Sequence, residues 1–322
     1  MRPASVLVTG SAGQIGSELV RLLSERYGSE RVLAGLFERK EQSQVPGPNK
    51  VIDVRSLDAI RRALREYRVD TVYHLAAVLS AVGEQDPQRA WDVNMQGLKN
   101  VLDASREVGV SRVFWPSSIA VFGPDAPKRM TPQDAPLNPR TMYGVTKVGG
   151  ELLCGYYYLK YNLDVRCVRY PGLISNSSKP GGGTTDYAVE IFYDALKKNN
   201  YRCFLRKDTS LPMMYMPDAL RAAVELMECE TDRVRTRRGY NLAAMSFSAG
   251  ELAAEISKHL PGFRCTYEPD FRQQVAEGWP ESISDLEARR DWGWVPHYDL
   301  SLMTEDMIVK LSKRLGKAAK NG

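Results

Sequence analysis

Ser5-Val6-Leu7-Val8-Thr9-Gly10-Ser11-Ala12-Gly13-Gln14-Ile15-Gly16 decides how this chain begins to fold. The apolar, β-branched run from Ser5 to Thr9 reads as a buried strand, and Gln14 to Tyr27 carries Ile15, Leu19, Leu22 and Leu23 at helical spacing. Gly10, Gly13 and Gly16 therefore occupy a strand-to-helix turn. Glycines there permit the tight turn and let a pyrophosphate approach backbone N–H groups at the helix N-terminus, where the dipole favours an anion. A glycine-rich turn in this context predicts dinucleotide binding.

Outward from that turn, strands alternate with helices. Val32 to Phe37, Lys50 to Asp53, Thr71 to Ala77, Arg112 to Pro116 and Val165 to Tyr170 read as strands between helical stretches. The alternation predicts an α/β fold: a Rossmann-type, doubly wound parallel sheet with its ligand at the carboxyl ends of the strands. After Tyr170 the regularity fades into a Gly/Ser/Pro-rich loop over 171–183, then helices from about Asp186 to Asn199, Met216 to Met227 and Ser248 to Leu260. The expected organisation is a dinucleotide-binding domain over 1–170, rejoined by 215–245, and a smaller C-terminal substrate-binding lobe from 171–214 and 246–322.

Composition excludes several classes. The chain has 322 residues and a net charge of +5, and its densest basic clusters, Arg233 to Arg238 and the tail from Lys310, read as solvated surface rather than a nucleic-acid footprint. No apolar run is long enough to span a membrane. Cys154, Cys167, Cys203, Cys229 and Cys265 are odd in number and widely spaced, so reduced thiols in a reducing compartment are expected. His74, His259 and His297 are equally scattered, and no metal site is expected. Only four residues precede the first strand, so no cleavable presequence is expected in this stretch. The expected location is the cytoplasm, or the mitochondrial matrix where a presequence has been removed.

Tyr143-Gly144-Val145-Thr146-Lys147 places a phenol and an ammonium four residues apart on one helix face, close enough for the cation to favour the phenolate. Such a pair also occurs by chance on solvated helices, and its weight comes from its companions. With the glycine turn and Phe114-Trp115-Pro116-Ser117-Ser118-Ile119-Ala120-Val121-Phe122-Gly123, the chain resembles the extended short-chain dehydrogenase/reductase superfamily over essentially its whole length. The resemblance implies Tyr143 as base, Lys147 as its helper and ribose ligand, and Ser118 as the hydroxyl-binding residue, with Ser117 as the other register. Asn94, in Trp91-Asp92-Val93-Asn94-Met95-Gln96-Gly97, matches an Asn that fixes the catalytic helix and often supports a proton relay; a helix-packing amide is the alternative.

Four strings carry a closer likeness, to the L-threonine 3-dehydrogenases related to nucleotide-sugar epimerases. They are Leu79 to Glu84, Pro180-Gly181-Gly182-Gly183-Thr184-Thr185-Asp186-Tyr187-Ala188, Leu211 to Tyr215, and Ala288-Arg289-Arg290-Asp291-Trp292-Gly293-Trp294. The likeness implies oxidation of the side-chain hydroxyl of L-threonine by NAD, giving 2-amino-3-ketobutyrate and NADH. The glycine triplet suits a small carboxylate, with Gly181, Ser80 and Thr185 receiving the amino acid's polar groups beside Ser118 and Tyr143. Trp279, in Glu277-Gly278-Trp279-Pro280, lies where these enzymes close a lobe over substrate; lobe packing is its bland alternative. An epimerase or dehydratase acting on a sugar nucleotide is the rival function, and a non-catalytic dinucleotide sensor a second.

The same likeness implies a cofactor site of Gly10, Gly13, Gln14, Ile15, Gly16, Glu38, Asp53, Val54, Leu75, Ala76, Ala77, Asn94, Tyr143, Lys147 and Tyr170. One position departs from the pattern. The acid expected at the end of the second strand is Leu36; Glu38 follows two residues later, ahead of the basic Arg39 and Lys40. NAD is expected over NADP because an acid precedes the basic pair. A homodimer is expected too, through helices spanning Gln88 to Val108 and Tyr143 to Tyr161, with Val101, Leu102, Leu152, Leu153, Tyr156 and Tyr157 as its apolar surface.

Overall fold

A computed structural model describes residues 3–39, 45–178, 181 and 183–320, excluding the side chains of 317–320; Lys40 and Gly182 lie outside the described residues. The first half runs β1 (Val6–Thr9), α1 (Gln14–Tyr27), β2 (Val32–Leu36), β3 (Asn49–Val51), α2 (Leu57–Glu66), β4 (Thr71–His74), α3 (Ser80–Gln85), α4 (Pro87–Trp91), α5 (Gly97–Val108), β5 (Arg112–Ser118), α6 (Met142–Tyr161) and β6 (Asp164–Tyr170). The second half adds β7 (Gly172–Ile174), α7 (Tyr187–Lys198), β8 (Asn200–Cys203), β9 (Ser210–Tyr215), α8 (Met216–Glu228), β10 (Gly239–Asn241), β11 (Met245–Ser248), α9 (Ala249–His259), β12 (Arg264–Tyr267), α10 (Phe271–Glu277), α11 (Leu286–Trp292) and α12 (Leu300–Lys320).

Seven strands form one sheet in the order β10-β6-β5-β4-β1-β2-β3, and every pairing in it is parallel. The strand order reverses beside β1, where α1 leaves on one face and later crossovers return on the other. That switch point is where an open α/β sheet binds its ligand. Alternate residues of β1 serve two cores. Val6 and Val8 pack with α1 and α8, whereas Leu7 packs with α2, α5 and α6. A third core, built from α7, α9, α12 and the turn after β5, underlies the smaller sheets β11-β9-β7 and β12-β8.

Two expectations need correction. The helix expected from Gln88 to Val108 is interrupted by a π-helical turn, Asp92–Gln96, which pushes Asn94 into the interior. Of the six residues assigned to a dimer surface, Val101, Leu102 and Tyr157 belong to the core, while Leu152 and Tyr156 are exposed. Both helices are apolar on more than one side because the sheet covers them, so composition alone did not separate the inward from the outward face.

Candidate active site

The turn after β1 is built to admit a backbone-bound anion. Gly10 has φ +66°, and a Cβ there would sit 2.7 Å from the amide nitrogen of Ala76; a Cβ at Gly16 would sit 2.2 Å from the carbonyl oxygen of Gly10. Neither position accepts a side chain. Helix α1 then starts at Gly13 with no side chain capping its first N–H groups, which leaves the positive end of the helix to a ligand. Beside the turn lies a cavity of about 480 Å³ walled by Gly10, Gly13, Leu36, Phe37, Ile52, Asp53, Val54 and the segment from Leu75 to Val78. The Asp53 carboxylate is held by Arg55 at 2.7 Å, and that pairing keeps it below the usual carboxylate range. This apolar slot with one fixed acid fits an adenosine, and the glycine turn fits the adjoining pyrophosphate.

Leu75 and Ala77 are shared with a second cleft, of about 150 Å³, which brings together Ser118, Tyr143 and Lys147. Ser117 and Ser118 end β5 with opposite orientations, as strand geometry requires. Ser117 turns inward and donates to Glu151 at 2.6 Å; Ser118 faces the cleft and accepts the N–H of Ala120 at 3.2 Å. Both border the cleft, and Ser118 is the one whose hydroxyl is not tied to Glu151. Tyr143 and Lys147 come from the first turns of α6, whose N-terminus is capped by the Thr141 hydroxyl and by Glu84, which accepts the Met142 N–H at 2.6 Å.

Burial dominates the electrostatics. Desolvation pushes the Tyr143 phenol up to about 12, against a hydrogen bond with Ser118 that lowers it. Desolvation also brings the Lys147 ammonium down to about 8, opposed by the nearby Cys154, Cys167 and Glu151. Lys147 donates to the carbonyl of Pro116 at 2.6 Å and lies 4.4 Å from the centre of the Trp115 ring and 5.4 Å from that of Tyr143. Without a cofactor, burial outweighs any help from the Lys147 ammonium, which is engaged by the Pro116 carbonyl.

Asn94 accepts the Val78 N–H at 2.8 Å and donates to the Val78 carbonyl and to the Thr146 hydroxyl. It ties the strand-end loop of the cofactor cavity to α6 and does not line either cavity. Gly16, exposed Glu38 and exposed Gly181 also stand outside both sets of walls. Gln14, Ile15, Ser80, Tyr170, Thr185 and Trp279 line the second cleft with the reactive groups. The sequence reading missed Phe37 and Arg89 in the first cavity and Leu79, Leu173, Thr184 and Asp186 in the second. Thr184 and Asp186 flank a quoted motif residue; Phe37 and Arg89 carry no local signal.

Residues 6–243 match the model of the family described as NAD dependent epimerase/dehydratase. The chain belongs to that family. Its cofactor is NAD, and the open helix terminus, glycine turn and adenosine-sized cavity suit that molecule. An uncharacterized epimerase/dehydratase of Staphylococcus haemolyticus is 48% identical over 96% of this chain and 98% of its own length. The L-threonine dehydrogenase of Clostridium difficile is 45% identical, with a TM-score of 0.95, over 98% of this chain and 99% of that one. A monomeric L-threonine 3-dehydrogenase from a metagenome, in its apo form, is 50% identical, with a TM-score of 0.93, over 96% and 99%. Family membership thus makes the chain an NAD-dependent enzyme of the short-chain dehydrogenase type. Among the described residues no group of three His, Cys, Asp or Glu is placed to hold a metal ion, and no helix is long and apolar enough to cross a membrane.

Proposed function

We propose that this chain is an L-threonine 3-dehydrogenase, oxidising the side-chain hydroxyl of L-threonine to give 2-amino-3-ketobutyrate. The observation that carries the reading is the wall of the second cleft: among its described residues Lys147 is the sole cation, and Asp186 is an acid. A sugar nucleotide brings a diphosphate that wants guanidinium partners. A small zwitterion needs only hydroxyls and backbone N–H groups, which Ser80, Thr184, Thr185 and Gly183 offer around Ser118 and Tyr143. The solved threonine dehydrogenases at 45–50% identity support the same choice.

In this mechanism Ser118 hydrogen-bonds the substrate hydroxyl and Tyr143, as phenolate, takes its proton. When bound, NAD supplies the hydride acceptor and a positive ring beside the phenol. Lys147 holds α6 against β5 and offers its remaining protons to the nicotinamide ribose. Asp53 and Val54 serve the adenosine end, with Glu38 just outside that cavity within reach of its ribose only by side-chain movement, and Trp279 closes the cleft over the substrate's methyl group. The same reading places the protein in the cytoplasm, or in the mitochondrial matrix where a presequence has been removed.

Assembly as a homodimer belongs to the same reading. Val145, Leu152, Tyr156 and Leu159 form an exposed stripe along α6, with Leu159 at 83% exposure, which a second copy of the chain would cover.

The deciding experiment offers NAD with L-threonine, L-serine and a UDP-sugar. NADH accumulating with threonine, faster than with serine, supports the proposal. An epimerised UDP-sugar without net NADH would replace it with the epimerase function.

A further inference from the structure

The loop between β5 and α6 carries reacting groups at both ends, Ser118 before it and Tyr143 after it. Its middle also grips the lobe. Backbone N–H groups of Glu281 and Ser282 donate to the Lys128 carbonyl at 2.7 and 3.1 Å, the Thr131 N–H donates to Ser282 at 3.0 Å, and Ser284 returns a bond to Thr131 at 3.0 Å. These bonds fix 281–284. The preceding turn, Glu277 to Pro280, is tied to α10 by its own N–H groups, Gly278 to the Val275 carbonyl and Trp279 to the Ala276 carbonyl at 3.0 Å each, and the Lys128 side chain links its carbonyls to the loop between β5 and α6.

The Lys128 ammonium donates to the carbonyl of Glu277 and, at 2.9 Å, to that of Trp279. Both lie at the C-terminal end of α10, where carbonyls lack helical partners and a cation is favoured. The Glu277 carboxylate does not compete, since it is taken by Arg206 and Gln273. The turn that Lys128 clamps presents the Trp279 indole, 8% exposed, to the cleft containing Ser118, Tyr143 and Thr185.

We infer that Lys128 is a positioning residue for the substrate, holding Trp279 as the outer wall of the cleft by clamping the carbonyls on either side of Gly278. The inference rests on the threonine reading for its substrate and on geometry alone for its contact. The clamp acts on one wall of the substrate cleft and touches no wall of the adenosine cavity, so it separates the two ligands.

Lys128→Met keeps the stem and removes the donors. The expected result is a KM for threonine raised about tenfold, with kcat and NADH affinity each within about twofold of the parent. Lys128→Arg, which restores a cationic donor, brings KM back most of the way. Combined with Trp279→Ala, Lys128→Met adds nothing to the KM of the Trp279→Ala single variant, because both act through one wall. Acrylamide quenching of the fluorescence component lost in Trp279→Phe reads the contact without any substrate: Lys128→Met should make that component more quenchable at unchanged melting temperature. An unaltered threonine KM, KM effects that multiply in the double variant, or an unchanged quenching constant would overturn the inference. Increased quenching in a chain that does not oxidise threonine would uphold the clamp and sink the substrate assignment instead.

Discussion

The Lys147 ammonium is bonded to the carbonyl of Pro116 at 2.6 Å, two residues before Ser118 on the neighbouring strand. The bond joins the helix that bears Tyr143 to the strand that bears Ser118, so one cation sets the spacing of two hydroxyls. Its burial makes the ammonium easier to lose, and its position leaves protons free for a ribose.

Lys147→Met should therefore lower kcat by at least about a hundredfold, since it loosens the alignment of base and hydroxyl binder together. Thermal unfolding should change little, because removing a desolvated charge offsets the lost hydrogen bond. Steady-state kinetics beside a melting curve test both halves. Near-parental turnover would reduce Lys147 to packing.

A phenol raised to about 12 must give up its proton before it can accept another, so kcat/KM should climb with pH from about 7 toward 10. Ser118 lowers that phenol, and Ser118→Ala should displace the rising limb to higher pH in addition to slowing the reaction. Tyr143→Phe should remove the limb and at least about a hundredfold of kcat, with NADH affinity nearly unchanged. A pH profile of Tyr143→Phe that still climbs would assign the base elsewhere.

His74 ends β4 fully buried, bonded through Nδ1 to the Thr9 hydroxyl at 2.7 Å, and desolvation brings it down to about 3 from an ordinary 6.5. It stays neutral in the folded chain while the unfolded chain takes up a proton. Its contribution is complete above pH 6.5 and is lost as pH falls from there toward 3. From pH 7 to 5 the folded protein should lose about 2 kcal/mol through this residue alone. Urea titrations of parent and His74→Asn at both values read the difference; equal losses would mean that His74 protonates in place.

The exposed stripe on α6 makes a claim about mass. Light scattering at micromolar concentration should give a dimer for the parent and a monomer for Leu152→Glu, whose charge would have to be buried on association. A monomeric parent would align this chain with its metagenomic relative and leave the stripe as bare surface.

The sheet and the shared cleft of Ser118, Tyr143 and Lys147 were legible because they rest on local signals. Glycines at 10, 13 and 16 permit one kind of turn, and a four-residue spacing on a helix dictates that Tyr143 and Lys147 share a face. What stayed hidden depends on distant packing. No short-range pattern reveals that Asp92 to Gln96 widens into a π turn, or that Leu102 faces the sheet while Leu152 faces away. The burial of the Tyr143 phenol is hidden for the same reason: spacing shows the neighbouring cation, but not how much water folding strips away. Lys128 carried no signal at all, being a lone lysine whose partners lie about 150 residues further on.

That long separation also bears on inheritance. Ser118, Tyr143 and Lys147 sit within one short stretch of chain, whereas Trp279, which shares their cleft, comes from far along the sequence and packs in a core that also holds Ile119 to Phe122. A recombination that exchanged only the segment bearing Trp279, while keeping its packing on Ile119 to Phe122, would retain Ser118, Tyr143 and Lys147 and hand them a different guest. Diversity of substrates within such a family then needs no reinvention of the reaction, only a new lid grafted onto an old hearth.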